Sequence, residues 1–279
     1  MRIITCILFS VCLHAAYAQQ VLNIKNAKGE AATAEDIVVA AQDKQFILFG
    51  EMHGEATAHQ LELTLLQQLH HKFGDKLVLG MEMFETDVQP IVDEYWKGQI
   101  NTRSFESEAR IWNNYADYRP LVEFAKAHAI PLIATNVPRR YANAVYHQGI
   151  GILDSLSDYA QKWLPPLPMV VDSTLASYRV LKDMIPGHGG ENMLNSQAIK
   201  DASMAHRILL HTPTDRVMLH VHGAYHTKNR EGILSFMKSV DPDKVLTITT
   251  IPDEGDDTLW SEADFTLLIP TTPTKLKEN

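Results

Sequence analysis

Five short, continuous apolar runs punctuate this chain, at 46–50, 77–83, 131–135, 217–221 and 245–251. Each has the length of a strand, and none alternates polar with apolar residues. That is the signature of strands covered on both faces. Between them lie stretches of helical periodicity at 56–71, 88–96, 121–128, 139–147, 192–211 and 231–240. In the first of these Leu61, Leu65, Leu66 and Leu69 fall along one side. Strands alternating with helices predict an α/β fold with a mostly parallel sheet flanked by helices. A further run at 265–269 is expected to add an edge strand. The stretch at about 149–190, with its Pro165-Pro166-Leu167-Pro168 cluster, breaks the alternation and reads as a helical insertion or lid. Loops are expected at that cluster, at Gly187-His188-Gly189-Gly190 and at Asp253-Glu254-Gly255-Asp256-Asp257.

The N-terminus reads as an address. Met1-Arg2 is followed by a mostly apolar run of 11 residues, Ile3 to Leu13, and by the small-x-small site Ala16-Tyr17-Ala18. This is a secretory signal peptide pattern over 1–18. The run is too short to span a membrane, which takes roughly 20 apolar residues, and no later stretch is longer. A single domain over 19–270 and a polar tail over 271–279 are expected. The destination is then the periplasm, across the inner membrane. Lipid attachment at Cys12 is disfavoured by Val11 before it. Both cysteines, Cys6 and Cys12, lie in the segment to be removed, so the mature chain is expected to carry no disulfide. Without Arg2, 24 of the 25 basic side chains face 34 acidic ones, a net charge near −10. That balance argues against a nucleic-acid partner.

Ligands of parallel sheets bind beyond the carboxyl ends of the strands. The first run delivers Gly50-Glu51-Met52-His53 there. The glycine is expected to let the chain turn and a ligand approach, and Glu51 with His53 suits metal binding or acid–base chemistry. Glu82 interrupts an apolar run, and a buried carboxylate needs a partner or a raised pKa. His220 and His222 share one strand face, and Gly223-Ala224-Tyr225-His226 repeats the Gly-x-x-His ending. The expected divalent-metal ligands, for an ion such as zinc or manganese, are therefore Glu51, His53, His222 and His226. On the 192–211 helix Gln197 and Asp201 share a face and can support the site through hydrogen bonds. Arg139 follows Pro138 at a helix start, where a guanidinium can hold a carboxylate or phosphate.

Six segments, in order, resemble the ChaN branch of the haem-binding uptake/Tiki superfamily. They are Leu48-Phe-Gly-Glu-Met-His53, Met81-Glu-Met-Phe84, Trp112 with Tyr115-Ala-Asp-Tyr-Arg-Pro120, Ile133-Ala-Thr-Asn-Val-Pro-Arg139, Gln197-Ala-Ile-Lys-Asp-Ala-Ser-Met-Ala205 and Gly223-Ala-Tyr-His226. The resemblance implies an extracytoplasmic haem or iron binder, with a tyrosine on the iron and subunits paired as a homodimer around stacked haems. Tyr115, Tyr118 and Tyr225 are the tyrosines nearest the matching segments, and Arg119 or Arg139 would meet the propionates. The wider superfamily, with its Tiki and erythromycin esterase-like members, implies instead a metal-dependent or acid–base hydrolase centred on His53, Glu82 and His226. The second Gly-x-x-His is followed by Thr227-Lys-Asn229 rather than by the glycine-rich continuation of typical ChaN chains.

Overall fold

The computed structural model describes residues 22–185, 188–254 and 262–270, so the signal-peptide segment, the tail and part of the 253–257 loop lie outside the described residues. Eight strands form one sheet: β1 (Asn23–Asn26), β2 (Ala31–Ala32), β3 (Phe46–Glu51), β4 (Leu77–Glu85), β5 (Leu132–Asn136), β6 (Val217–Gly223), β7 (Val245–Asp253) and β8 (Phe265–Pro270). Their spatial order is β2-β1-β8-β7-β3-β6-β4-β5. From β8 to β5 every pairing is parallel, so all six strands end on one rim.

The helices are α1 (Ala34–Ala40), α2 (Ala56–Phe73), α3 (Gln89–Trp96), α4 (Thr102–Glu108), α5 (Tyr115–Ala127), α6 (Arg139–Gln148), α7 (Asp158–Gln161), α8 (Ala176–Met184) and α9 (His188–His211). They cover both faces. One core gathers Leu61, Leu65 and Leu69 of α2 and Tyr118 and Val122 of α5 against Phe49, Leu79 and Val221. The other packs Met204, Ala205 and Ile208 of α9 against Leu48, Val78 and Met218. Double coverage is why β3, β4 and β6 are buried along almost their whole length and read as unbroken apolar runs. The 149–190 stretch is helical in pieces: a 3-10 turn at Ile150–Ser155, then α7 and α8. No helix among the described residues is long and apolar enough to cross a membrane.

Four elements differ from expectation. The run at 265–269 forms an interior strand, because β1 pairs antiparallel along its outer side. The β1–β2 hairpin itself is too short and polar to show as periodicity; the Asn26 side chain accepts from Lys28 and Glu30 N–H, and Gly29 takes φ 80°. Gly189 and Gly190 lie inside α9 rather than in a loop. A Cβ at Gly190 would collide with the carbonyl oxygens of Lys182 and Ile185, so the glycine is there to let α8 and α9 meet. The expected helix at 231–240 is a 3-10 turn, Gly232–Phe236, entered through Gly232 at φ 55°.

Candidate functional site

The central strands β3, β6 and β4 bring Glu51, Gly223 and Glu82 to the common rim. Beyond β6 the chain coils into a 3-10 turn, Ala224–Arg230, that turns His226 inward to 5% exposure. The turn lies directly over β3: a Cβ at Gly50 would come within 2.8 Å of Ala224 Cα. Gly50 thus makes room for this turn rather than for a ligand.

His226 is the hub of a buried network. Its Nε2 lies 3.1 Å from Glu82 Oε1, and its Nδ1 makes a very short contact with Asp201 Oδ1. Glu82 Oε2 accepts the Gly223 N–H at 2.8 Å, and Tyr178 of α8 donates to Asp201 Oδ2 at 2.6 Å. Gln197 Nε2 is 2.9 Å from His226 Nδ1. Burial, the largest influence on His226, favours its neutral form. The charges of Glu82 and Asp201 and their hydrogen bonds outweigh it and hold the imidazolium up at about 10. For Glu82 burial raises the pKa, but His226 and the Gly223 N–H prevail and keep it far below the usual carboxylate range. Asp201 is pushed up, with burial prevailing over the attraction of His226. Both ring nitrogens of His226 thus face carboxylates, and these favour its charged form.

A second network starts from Glu51. Its Oε1 accepts from the Tyr118 hydroxyl at 2.5 Å and lies 2.6 Å from His53 Nδ1. The hydrogen bond to Glu51 raises the pKa of His53 against the opposing effect of burial. The His53 side chain is 44% exposed, and its ring stands edge-on to Trp112. Its Nε2 hangs over Gly223, where a Cβ would come within 2.7 Å.

Between the two networks lies a cavity of about 320 Å³ lined by His53, Glu82, His226, Trp112, Arg139 and Lys200, among others. It shares Glu85, Trp112 and Arg139 with a larger groove of about 760 Å³ that also carries Arg110 and Arg140. Arg110 pairs with Glu85 and Asp87, and Arg140 with Asp87. Arg139 has no ion pair among the described residues.

The residue model of the family described as haem-binding uptake, Tiki superfamily, ChaN matches residues 37–237, most of the chain. The chain belongs to this ChaN family. Among curated protein sequences none matches it. Of solved structures, ChaN of Campylobacter jejuni, described with cofacial heme binding, is similar with a TM-score of 0.69 at 18% identity, over 89% of this chain and 97% of that one. An erythromycin esterase mutant, EreC in its open conformation, aligns with a TM-score of 0.47 at 9% identity, over 88% of this chain and 82% of that one. The ChaN fold expected from the sequence is the fold observed.

Within this ChaN-family site the structure brings His53, Glu82, His226, Arg139, Gln197 and Asp201 around or directly behind one cavity. It divides the four expected metal ligands. Glu51 and His53 form one pair, His226 is held between carboxylates, and His222 is wholly buried below. His222 Nδ1 lies 3.0 Å from His220 Nδ1 and its Nε2 3.1 Å from Thr227 Oγ1, while His220 Nε2 lies 2.8 Å from Thr135 Oγ1. These two histidines do share a face, but it is a core face, and burial lowers the pKa of both.

The tyrosines and Arg119 are likewise placed away from the cavity. Tyr225 donates to the Ser177 carbonyl, Tyr118 donates to Glu51, and Tyr115 is buried among Phe84 and Phe105. Burial raises the pKa of all three, opposite to what a phenolate ligand needs. Arg119 pairs with Glu106. Sequence reasoning missed Tyr178, Lys200, and the pair His59 and Glu62 of α2. With Glu51, that pair places one ligand atom each within 4.8 Å of the others. The signal for Glu62 was present: it falls within the stripe Ala58, Leu61, Leu65, Leu69, where an apolar residue is expected.

Proposed function

We propose that this chain binds haem at the rim groove and acts in iron uptake outside the cytoplasm. The observation that carries the reading is the family match over residues 37–237. The site fits the group in three respects. Haem needs a donor to iron, cations for its propionates and an apolar wall. His53 supplies an imidazole whose Nδ1 is engaged by Glu51, leaving Nε2 at the cavity wall. A carboxylate behind a ligating imidazole fixes its orientation and raises its basicity. Arg139, without an ion pair among the described residues and shared by both cavities, would hold a propionate, and Trp112 would face the macrocycle. The donor is then His53 rather than a tyrosine near the matched segments, since those hydroxyls are spent or buried. Bound haem supplies the iron that is carried. The export pattern at 1–18 supports a location beyond the inner membrane.

Titration of the purified protein with hemin tests this. A Soret band should saturate near one equivalent and weaken in both His53→Ala and Arg139→Ala. A spectrum identical to free hemin rejects haem binding. A band untouched by either substitution rejects this site.

A second reading, acid–base hydrolysis, is favoured by the buried Glu82–His226–Asp201 network facing the cavity. In it His53 accepts a proton from water at Nε2 while Glu51 holds the proton on Nδ1. His226 and Lys200 place positive charge beside the developing anion. Turnover in a panel of esters and peptides, abolished by His53→Ala, would support it; an inert panel would count against it.

A further inference from the structure

Behind His53, on the side away from the cavity, α2 packs a histidine and a glutamate against the end of β3. His59 Nδ1 lies 3.2 Å from Glu51 Oε2 and 3.4 Å from Glu62 Oε2. Glu51 and Glu62 are each 1% exposed. Three atoms here, Glu51 Oε2, Glu62 Oε1 and His59 Nε2, have no hydrogen-bond partner among the described residues. Two buried carboxylates side by side with orphaned oxygens are unstable unless a cation or a proton lies between them.

We propose that Glu51, His59 and Glu62 form a first-row divalent-cation site, separate from the rim cavity and joined to it through Glu51. The geometry suits the ion. Tetrahedral ligands about 2.0–2.1 Å from zinc are spaced about 3.3–3.4 Å apart. The two separations from His59 Nδ1 are 3.2 and 3.4 Å. A dication also neutralises the two carboxylates, and one imidazole with two carboxylates is a donor set for zinc or manganese rather than for calcium, which takes oxygens.

The placement gives the ion a role. Glu51 offers Oε2 to this site and Oε1 to His53 and Tyr118. The ion fixes the Glu51 carboxylate, and so the orientation of His53 at the cavity wall.

The test uses the full-length purified protein stripped with chelator, then dialysed against zinc chloride or manganese chloride and assayed by elemental analysis and thermal melting. The wild type is expected to retain one equivalent of one of the ions and to melt higher with it. Glu62→Gln and His59→Gln should each weaken retention at least about tenfold, with circular dichroism confirming that they fold. His53→Ala should retain the ion. The proposal fails if the wild type retains neither ion, or if Glu62→Gln keeps a full equivalent. It also fails if His53→Ala loses the ion while Glu62→Gln does not. A metal-free Glu62→Gln that melts above a wild type indifferent to both ions identifies the occupant as a proton, and overturns it too. The hemin titration reads His53 and Arg139, so its failure leaves this result standing.

Discussion

His226 and Glu82 form an ion pair, 3.1 Å from Nε2 to Oε1, in which the two side chains are only 7% and 6% exposed. A buried pair of this kind contributes little net stability when intact, but removing one partner strands the other. His226→Ala leaves both Glu82 and Asp201 without their cation. It is expected to destabilise the fold by about 3–5 kcal/mol, read from the midpoint of urea unfolding at pH 7.

The same pair sets a pH dependence. His226 titrates higher in the folded chain, at about 10 against an ordinary value of 6.5. Its contribution is therefore complete below pH 6.5, shrinks as pH rises above that, and is gone once pH passes about 10. Glu82 titrates lower when folded, so its contribution is present above its ordinary value of 4.5 and is lost as pH falls through the folded value. Stability should decline between pH 6.5 and 10 in the wild type, and the slope should flatten in His226→Gln. An equal slope in both, measured by urea titration across that window, would show that the decline has another origin.

How much of this was legible in the sequence depends on how local each signal is. Five of the six parallel strands announce themselves because burial on both faces demands unbroken apolar runs. Glu82 shows because a carboxylate inside such a run has to be paired. Asp201 and Gln197 show because they share a helix face. Tyr178 closes the same network from α8, yet no spacing ties it to Asp201. His222 obeys the two-residue period of a strand, but the period does not say whether the shared face meets solvent or core. Tyr225 adjoins His226, yet the 3-10 turn carries its hydroxyl to the Ser177 carbonyl rather than toward the cavity.

The two glycines of the Gly-x-x-His endings should respond differently to alanine. At Gly50 a methyl group meets the Ala224 backbone at 2.8 Å, and backbone yields poorly. Gly50→Ala is expected to cost about 1–3 kcal/mol and to shift His226 with its turn. At Gly223 the three atoms nearest the methyl all belong to the ring of His53, a half-exposed side chain that can swing aside. Gly223→Ala should fold with less than about 1 kcal/mol lost yet weaken the Soret band as His53→Ala does. Comparing melting curves with hemin titrations for the two variants checks both halves.

Tyr118 connects the core of α5 to the site, since its hydroxyl donates to the Glu51 oxygen that also engages His53. Tyr118→Phe keeps the ring against His59 and Trp112 and removes the hydroxyl, which besides donating to Glu51 lies 3.4 Å from His53 Nδ1. A hydrogen bond to a charged acceptor contributes about 1.5–3 kcal/mol, so the loss in urea unfolding should fall in that range. Glu51 Oε1 then serves His53 alone, and the hydrogen bond that already raises the His53 pKa meets no competitor. The imidazole of His53 should therefore titrate higher in Tyr118→Phe than in the wild type when followed by NMR. A lower value would mean that the tyrosine hydroxyl, rather than the Glu51 carboxylate, governs the protonation of His53.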